Sequence, residues 1–276
     1  EELSLGNRSG RDVKRSMARE MMDSPDNSPR ELLEDDLRNL RIINRYLGNH
    51  RVVLGGLARL IEEQKLKRFS LLDVGTGSAD IPTVIASWAR RHHLTARLIG
   101  LEPEPVTLRA AASQIRDYSE ITLIRGDARA LPLASGSVDF VLSSQMLHHF
   151  SEHDIINLLR GWSRVARRGI IVCDLVRHPV AYHGIRLVTK VLTRNVMTRT
   201  DGPLSVQRAF TLEEWRDLFE RAGIGPFRLF PKFPFRQITI FSMLEIKSAS
   251  RLREDQNDHE SFAGSPAPCD LGPARM

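Results

Sequence analysis

The sequence predicts an α/β protein whose core is a parallel sheet with helices on both faces. Three observations predict it. Short apolar runs alternate with helical stretches from residue 69 to residue 174; the first run ends in Gly75-Thr76-Gly77; and the second ends on Glu102. Alternation of this kind builds a parallel sheet buried on both faces. A glycine turn between strand and helix, with an acid closing the next strand, describes a nucleotide pocket at the sheet's carboxyl edge.

The elements follow in order. Residues 1–27 mix charges with Gly, Ser, Asn and Pro and are expected to be a loosely ordered arm. Residues 28–68 read as an N-terminal helical cap. Ser28-Pro29-Arg30-Glu31 is a helix start, with Ser28 capping, Pro29 in the first helical position and Glu31 completing a capping box. Leu33, Leu37, Leu40 and Leu47 continue one apolar face, and Gly48 is a stop. A second helix over residues 52–65 turns Val53, Leu57, Leu60 and Ile61 inward. This pair either packs on the core or caps a pocket, and the spacing does not decide which.

Strands are expected at 69–74, 97–101, 121–125, 138–143 and 169–174, with helices at 81–91, 105–116 and 152–165. The connection 126–137 holds Asp127, Pro132 and Gly136 and reads as a loop. Residues 178–199 are basic and amphipathic, carrying Ile185, Leu187, Val188, Val191 and Leu192, and Asp201-Gly202-Pro203 reads as a turn. Thr211-Leu212-Glu213-Glu214 caps a helix running to about Ala222. Gly223 to Pro226 breaks it, and residues 227–230 and 236–243 form a closing pair of strands. The α/β core with its insertion thus spans 69–247, and a polar tail, 248–276, is expected to be disordered.

Composition narrows the partners. At 276 residues and 41% apolar content the chain can bury one α/β core. No run approaches the roughly 20 apolar residues of a membrane span. Glu1-Glu2-Leu3-Ser4 has neither the basic nor the apolar stretch of a secretory signal, and a cytoplasmic location is the expectation. Cys173 and Cys269 are too few and too far apart for a disulfide framework or a cysteine metal site. The net charge is +6, and only six of forty basic residues are lysine. Such an arginine excess favours anionic surfaces, and peripheral membrane contact stays open. The basic residues are scattered without interleaved aromatics, so nucleic-acid binding is not expected. The sequence says nothing of oligomeric state.

The motif chemistry is more specific. In a dinucleotide fold the third glycine of Gly-x-Gly-x-x-Gly would fall at position 80, where this chain has Asp80. A carboxylate at that helix mouth repels a diphosphate, and Asp73 adds to the repulsion. No phosphate-binding Gly-x4-Gly-Lys loop occurs either. The pocket therefore suits a nucleoside without phosphates that carries positive charge. Glu102 can accept hydrogen bonds from both ribose hydroxyls. In Gly126-Asp127-Ala128, the aspartate can accept the exocyclic amine of adenine. Singly, Glu102 could be a capping acid and Asp127 a turn residue; together, at successive strand ends, they favour a ligand.

These residues carry a resemblance. Asp73-Val74-Gly75-Thr76-Gly77-Ser78-Ala79, Glu102, Gly126-Asp127-Ala128 and residues 143–150 resemble the class I S-adenosylmethionine-dependent methyltransferases, in the small-molecule branch that includes quinone C-methyltransferases. The match covers residues 69–175 closely and 28–245 more loosely. Arg41 to Gly48, Asp201 to Ser205 and Arg208 to Thr211 further resemble bacterial methyltransferases of polyketide or quinone-type pathways. The resemblance implies a Rossmann-like sheet of seven strands, mostly parallel with an antiparallel last strand, and S-adenosyl-L-methionine as cofactor. By position, Asp73, Gly75, Thr76 and Gly77 would border its methionine part, Glu102 would hold its ribose, and Asp127 with Ala128 its adenine. Asp80, Pro103 and Ser144 complete the set. Ala79 stands where the family often has another glycine.

A methyl group on a sulfonium is already activated, so the protein must align a displacement and, for a hydroxyl acceptor, remove a proton. His148 and His149, after the fourth strand, are the candidate bases, set against a capping or packing role. Asp174 lies on the same side, His178 and His183 follow in an expected lid over 176–210, and Arg208 either holds an anionic group or pairs with Glu213 or Glu214. No His/Asp/Glu cluster has metal spacing, so no metal is expected. There is no Asn/Asp-Pro-Pro-Phe/Tyr segment, and no cysteine follows Pro or Thr at the end of a core strand, as a covalent cytosine mechanism needs. The sequence therefore predicts methyl transfer to oxygen or carbon of a small apolar or aromatic, polyketide- or quinone-like metabolite. The alternatives are an RNA or protein methyltransferase and a non-catalytic cofactor-binding protein; an NAD oxidoreductase is third, and Asp80 argues against it.

Overall fold

The computed structural model describes residues 13–23 and 29–242. Seven strands, β1 (Arg68–Val74), β2 (Thr95–Glu102), β3 (Ile121–Arg125), β4 (Val138–Ser144), β5 (Ala166–Leu175), β6 (Phe227–Lys232) and β7 (Arg236–Ser242), form one sheet in the order β3-β2-β1-β4-β5-β7-β6. β7 runs antiparallel to both neighbours, and the pairs among β1 to β5 are parallel. From β1 the chain winds outward through β2 and β3, then returns to the other side of β1 for β4 and β5. That reversal opens a crevice at the carboxyl ends of β1 and β4, where ligands of open α/β sheets bind.

Both faces of the sheet are covered. Side chains alternate along a strand, so Phe69 and Leu71 of β1 enter one core with Leu57, Leu60 and Ile85. Leu72 and Val74 enter the other core with Trp162, Trp215 and Phe219. The first layer is α2 (Asn49–Glu63) and α3 (Asp80–Arg91); the second is α5 (Glu152–Val165) and α8 (Leu212–Ala222). Ser151 caps α5 by accepting the Asp154 N–H, and Thr211 with Glu214 forms the expected capping box of α8. α4 (Pro105–Gln114) completes the alternation.

Helix α1 (Arg30–Tyr46) has Pro29 at its N-cap and no side-chain cap; Ser28, the expected cap, lies outside the described residues. Gly48, with φ +81, ends that helix and directly begins α2, three residues before the expected Val52. The basic stretch after β5 splits in two because Thr193 is extended and Asn195 caps a new helix. The halves are α6 (Pro179–Leu192) and α7 (Val196–Arg208).

Two expectations are corrected here. Asp201-Gly202-Pro203 is not a turn but the middle of α7. Gly202 serves a close helix contact, since a Cβ there would lie 3.1 Å from Thr189 Cγ2 on α6, and Asp201 is spent elsewhere. Its carboxylate accepts the Met21 and Met22 N–H groups at 2.9 and 3.0 Å. Those bonds bear on the second correction. Over residues 13–23 the expected loose arm is an extended strap ending in a short 3-10 turn, Met21–Asp23. Arg15 holds it further by donating to the Arg208 and Phe150 carbonyls. The remainder of the arm and the tail lie outside the described residues. Among the described residues no helix is long and apolar enough to cross a membrane.

Candidate active site

A cleft of about 620 Å³ runs along the carboxyl edge of the sheet. Every residue that the sequence assigns to a cofactor lines it: Asp73, Gly75, Thr76, Gly77, Asp80, Glu102, Pro103, Asp127, Ala128 and Ser144. His148 and His149 line it too.

The glycine turn is shaped by its backbone demands. Gly75 and Gly77 have φ of +71 and +55, and Ala79 accepts +60 at the cap of α3. Gly75 carries a second constraint, because a Cβ would stand 2.6 Å from Met146 Sδ. The turn is pinned to β2: Leu101 C=O accepts the Gly75 and Thr76 N–H groups, and the Glu102 carboxylate accepts the Gly77 N–H at 3.0 Å. Glu102 also accepts the Glu104 N–H at 3.2 Å. Its carboxyl is raised above the usual range by burial.

Asp73 is nearly sealed and accepts the Thr76 hydroxyl at 2.7 Å. Burial, with the charges of Asp80 and Glu102 added, pushes its carboxyl up to about 8. Asp80 does a different job as well. It accepts from Asn44 at 3.2 Å and pairs with His50 Nε2 at 2.9 Å, tying the helical cap to the glycine turn. Asn44 in turn accepts from Gln145 at 2.6 Å, and Asn49, fully buried, donates to Ser144 Oγ at 3.0 Å. The α1–α2 pair therefore both packs and caps, with Leu33, Leu37 and Asn44 in the cleft wall.

At the outer end, Asp127 is exposed and accepts the Arg129 N–H at 2.8 Å. It thus closes a turn, the first of the two sequence alternatives, while lining the cleft. The Ala128 carbonyl is held by Trp162 Nε1 at 3.2 Å.

The opposite end is built from segments remote in sequence. A short 3-10 turn after β4, Leu147–His149, carries both histidines. His148 is buried; its Nδ1 lies 2.7 Å from Asp174 Oδ1, and Asp174 also accepts the His148 N–H at 3.3 Å. The hydrogen-bond pattern assigns the proton to Nδ1, which leaves Nε2 as the lone-pair nitrogen. That Nε2 is buried without a hydrogen-bond partner among the described residues. His149 repeats the arrangement with Asp23 of the strap at 2.7 Å, and the two rings lie 4.4 Å apart. Glu20, also from the strap, sits 3.8 Å from His148 Nε2 and 3.7 Å from His149 Nε2. It accepts the Ser205 hydroxyl at 2.9 Å, and burial pushes its carboxyl up to about 7. Asp23 also feels burial, but the hydrogen bond and charge of His149 outweigh it and hold the carboxyl down at about 2.

Arg208 lines the cleft and does not pair with Glu213 or Glu214. It donates to the His149 and Ala18 carbonyls at 2.7 and 2.8 Å and to Asp23 at 2.8 Å, clamping strap to histidine turn, while Glu214 pairs with Arg177. Of the expected lid, α7 reaches the cleft through Ser205 and Arg208, and α6 contributes no lining residue. His178 caps α6 and stacks on Phe235, away from the cleft. Sequence reasoning missed Glu20, Asp23, Asn44, His50 and Gln145. It found no metal spacing, yet Glu20, His148 and His149 bring ligand atoms within 4.8 Å of one another. No interval along the chain announces a group that is assembled across the strap.

Comparison with known proteins agrees with this geometry. Residues 72–173 match the methyltransferase domain family. A protein of Mycobacteroides abscessus described as an uncharacterized methyltransferase is 36% identical over 86 residues, which is 30% of this chain and 31% of that protein. The chain spans about a third of the length of the curated relatives it matches. Among solved structures, a SAM dependent methyltransferase from Aquifex aeolicus superposes with a TM-score of 0.54 at 15% identity, covering 76% of this chain and 98% of its own. Human N-acetylserotonin methyltransferase, solved in complex with SAM, gives 0.58 at 14% identity, covering 83% and 62%. At such identities the likeness speaks for the fold.

Proposed function

We propose that this chain, a class I S-adenosylmethionine-dependent methyltransferase in its core over residues 72–173, transfers a methyl group to oxygen or carbon of a small apolar or aromatic metabolite. The observation that carries the reading is electrostatic. Asp73, Asp80 and Glu102 converge on one glycine turn, and among the described residues no lysine or arginine pairs with them. Acids gathered in a buried mouth disfavour phosphate, and a bound cation favours the ionised form of Asp73, whose carboxyl burial otherwise holds at about 8. That fits a ligand bearing a sulfonium and an ammonium, and a cleft of about 620 Å³ is of the size that small-molecule sites occupy.

In this reading the Gly75–Gly77 backbone and Asp73 hold the amino-acid part of S-adenosylmethionine, Glu102 the ribose hydroxyls, and Asp127 with Ala128 the adenine. When bound, the cofactor supplies a methyl group already activated on a sulfonium. The protein's part is to bring an acceptor in line and take its proton. His148 Nε2, in the cleft wall, receives the proton of an acceptor hydroxyl, while Asp174 holds the ring and steadies the imidazolium. His149 stands beside it as the second candidate. The strap, clamped by Arg208 and Asp201, covers this end of the cleft and keeps water from the reacting oxygen. Leu33, Leu37 and Met146 offer an apolar wall that suits an apolar or aromatic acceptor.

Calorimetric titration of the purified chain with S-adenosylhomocysteine and with NAD tests the cofactor. Micromolar binding of NAD alone would sink the proposal. Methyl transfer assayed across phenols, quinols and polyketide acids tests the acceptor class. Turnover confined to RNA or protein substrates would replace it.

A further inference from the structure

We propose that Glu20, His148 and His149 form a site for a divalent transition-metal ion of the zinc class at the acceptor end of the cleft. The use made of that ion rests on the methyl-transfer reading; the binding itself does not.

The geometry carries the proposal in four ways. The Glu20 carboxylate oxygens stand 3.8 and 3.7 Å from the two Nε2 atoms. Those separations are too long for hydrogen bonds but match donors each about 2.1 Å from a shared ion. His148 Nε2 is sealed from solvent with no hydrogen-bond partner among the described residues, so a buried lone pair faces this gap. Both histidines present Nε2 because both Nδ1 atoms are held by carboxylates, Asp174 and Asp23, each at 2.7 Å. A carboxylate behind each ligating imidazole is the outer shell that orients metal-binding histidines. Finally, Glu20, Asp23, Asp174 and Asp201 gather around the cluster with Arg208 as the basic residue bonded within it, an excess of negative charge that a divalent cation would offset.

Two histidines and one carboxylate are a three-ligand set, which leaves an open coordination position, and all three residues line the cleft. An acceptor hydroxyl entering that position gives up its proton to water near neutrality under the ion's charge. Its oxygen then forms the new C–O bond as the methyl–sulfur bond breaks and leaves its electron pair on sulfur. The ion thus selects an oxygen-bearing acceptor. In the loaded protein it performs the proton removal that His148 performs without metal.

The test uses the full chain, stripped with chelator and then titrated with Zn²⁺ and, as a spectroscopic probe, Co²⁺. The expected result is a single ion per chain after desalting, and a visible Co²⁺ ligand-field band of low coordination number. Glu20→Gln and His149→Ala should each weaken binding at least about tenfold while S-adenosylhomocysteine affinity and melting temperature hold; His183→Ala on the surface should change nothing. Because His148 is buried, its variant is judged only if it melts as the parent does. Substoichiometric Zn²⁺ in the parent chain, or unchanged Co²⁺ spectra in Glu20→Gln and His149→Ala, would overturn the site. Failure to bind S-adenosylhomocysteine with metal bound normally would instead overturn the functional reading and leave the site standing.

Discussion

The two ends of the cleft are built on different plans. The end around the glycine turn is made by consecutive strand termini: β1 delivers Asp73 and Gly75, β2 delivers Glu102, and the loop after β3 delivers Asp127. Each is placed by local chain direction, because parallel strands end at one edge of the sheet. The histidine end is made by convergence. Glu20 and Asp23 come from a strap near the start of the chain, His148 and His149 from the loop after β4, Asp174 from β5 and Ser205 and Arg208 from α7. One end is therefore fixed by the sheet alone, and the other by one strand residue, Asp174, together with side-chain contacts from the strap and α7. Under the proposed function, chemistry common to many acceptors belongs at the first, and acceptor choice at the second.

The sharpest way to break that division is at His148. Its replacement by Ala should lower turnover of a hydroxyl acceptor by about 10²- to 10⁴-fold, the usual contribution of a positioned base. Affinity for S-adenosylhomocysteine should stay unchanged, as read by calorimetry on the same preparation. Asp174→Asn should follow in the same direction by losing the group that orients the ring. Equal loss of cofactor binding in both variants would mean that the two ends are one unit.

The converse substitution is Glu102→Ala. It removes the acceptor for the Gly77 and Glu104 N–H groups together with the carboxylate proposed to hold the ribose. Charge-assisted hydrogen bonds contribute about 1.5–3 kcal/mol each. A loss on the order of a hundredfold in cofactor affinity is expected, with the histidine cluster intact by Co²⁺ spectroscopy.

These two ends also differ in how far the sequence announces them. β1 to β5 were legible because each is an apolar run bounded by turn residues, and the cofactor-side residues because they sit at fixed offsets from those runs. The strap was not, since Val13 to Asp23 has no apolar period and its order comes from partners far downstream, Asp201 and Arg208. Asp201-Gly202-Pro203 misled for a related reason. Turn chemistry is a local signal, and helix α7 is held by tertiary contacts that override it, through Asn195 at its cap and Gly202 against α6. Asn44 and His50 looked like ordinary helix-surface polar residues until Asp80 was seen between them.

A smaller effect tests whether the strap belongs to acceptor binding alone. Asp201→Ala leaves the Met21 and Met22 N–H groups without their acceptor and should free the strap at a cost of about 1–3 kcal/mol. Hydrogen exchange over residues 13–23 should rise and the acceptor KM with it, while cofactor affinity holds. Protection that stays unchanged would place the strap's anchor at Arg208 instead.

The mildest perturbation is pH, and it separates the ends by charge rather than by contact. Asp73 titrates near 8 in the folded protein, raised first by burial and then by Asp80 and Glu102, against an ordinary value of 3.8. The folded state therefore binds more protons than the unfolded one between those values. This stabilising contribution is complete below the unfolded value and is lost as pH rises through about 8, so melting temperature without ligand should fall across that window, and Asp73→Asn should flatten the slope. Cation binding has the opposite dependence. The ionised carboxylate attracts a sulfonium, so affinity for S-adenosylmethionine relative to its neutral-sulfur product should climb by up to about tenfold for each pH unit between 7 and 8. In Asp73→Asn the ratio should not move with pH. A ratio that is flat in the parent chain would mean that Asp73 lies too far from the sulfur to sense it, and would shift that role to Asp80, whose carboxylate already answers to His50 at 2.9 Å.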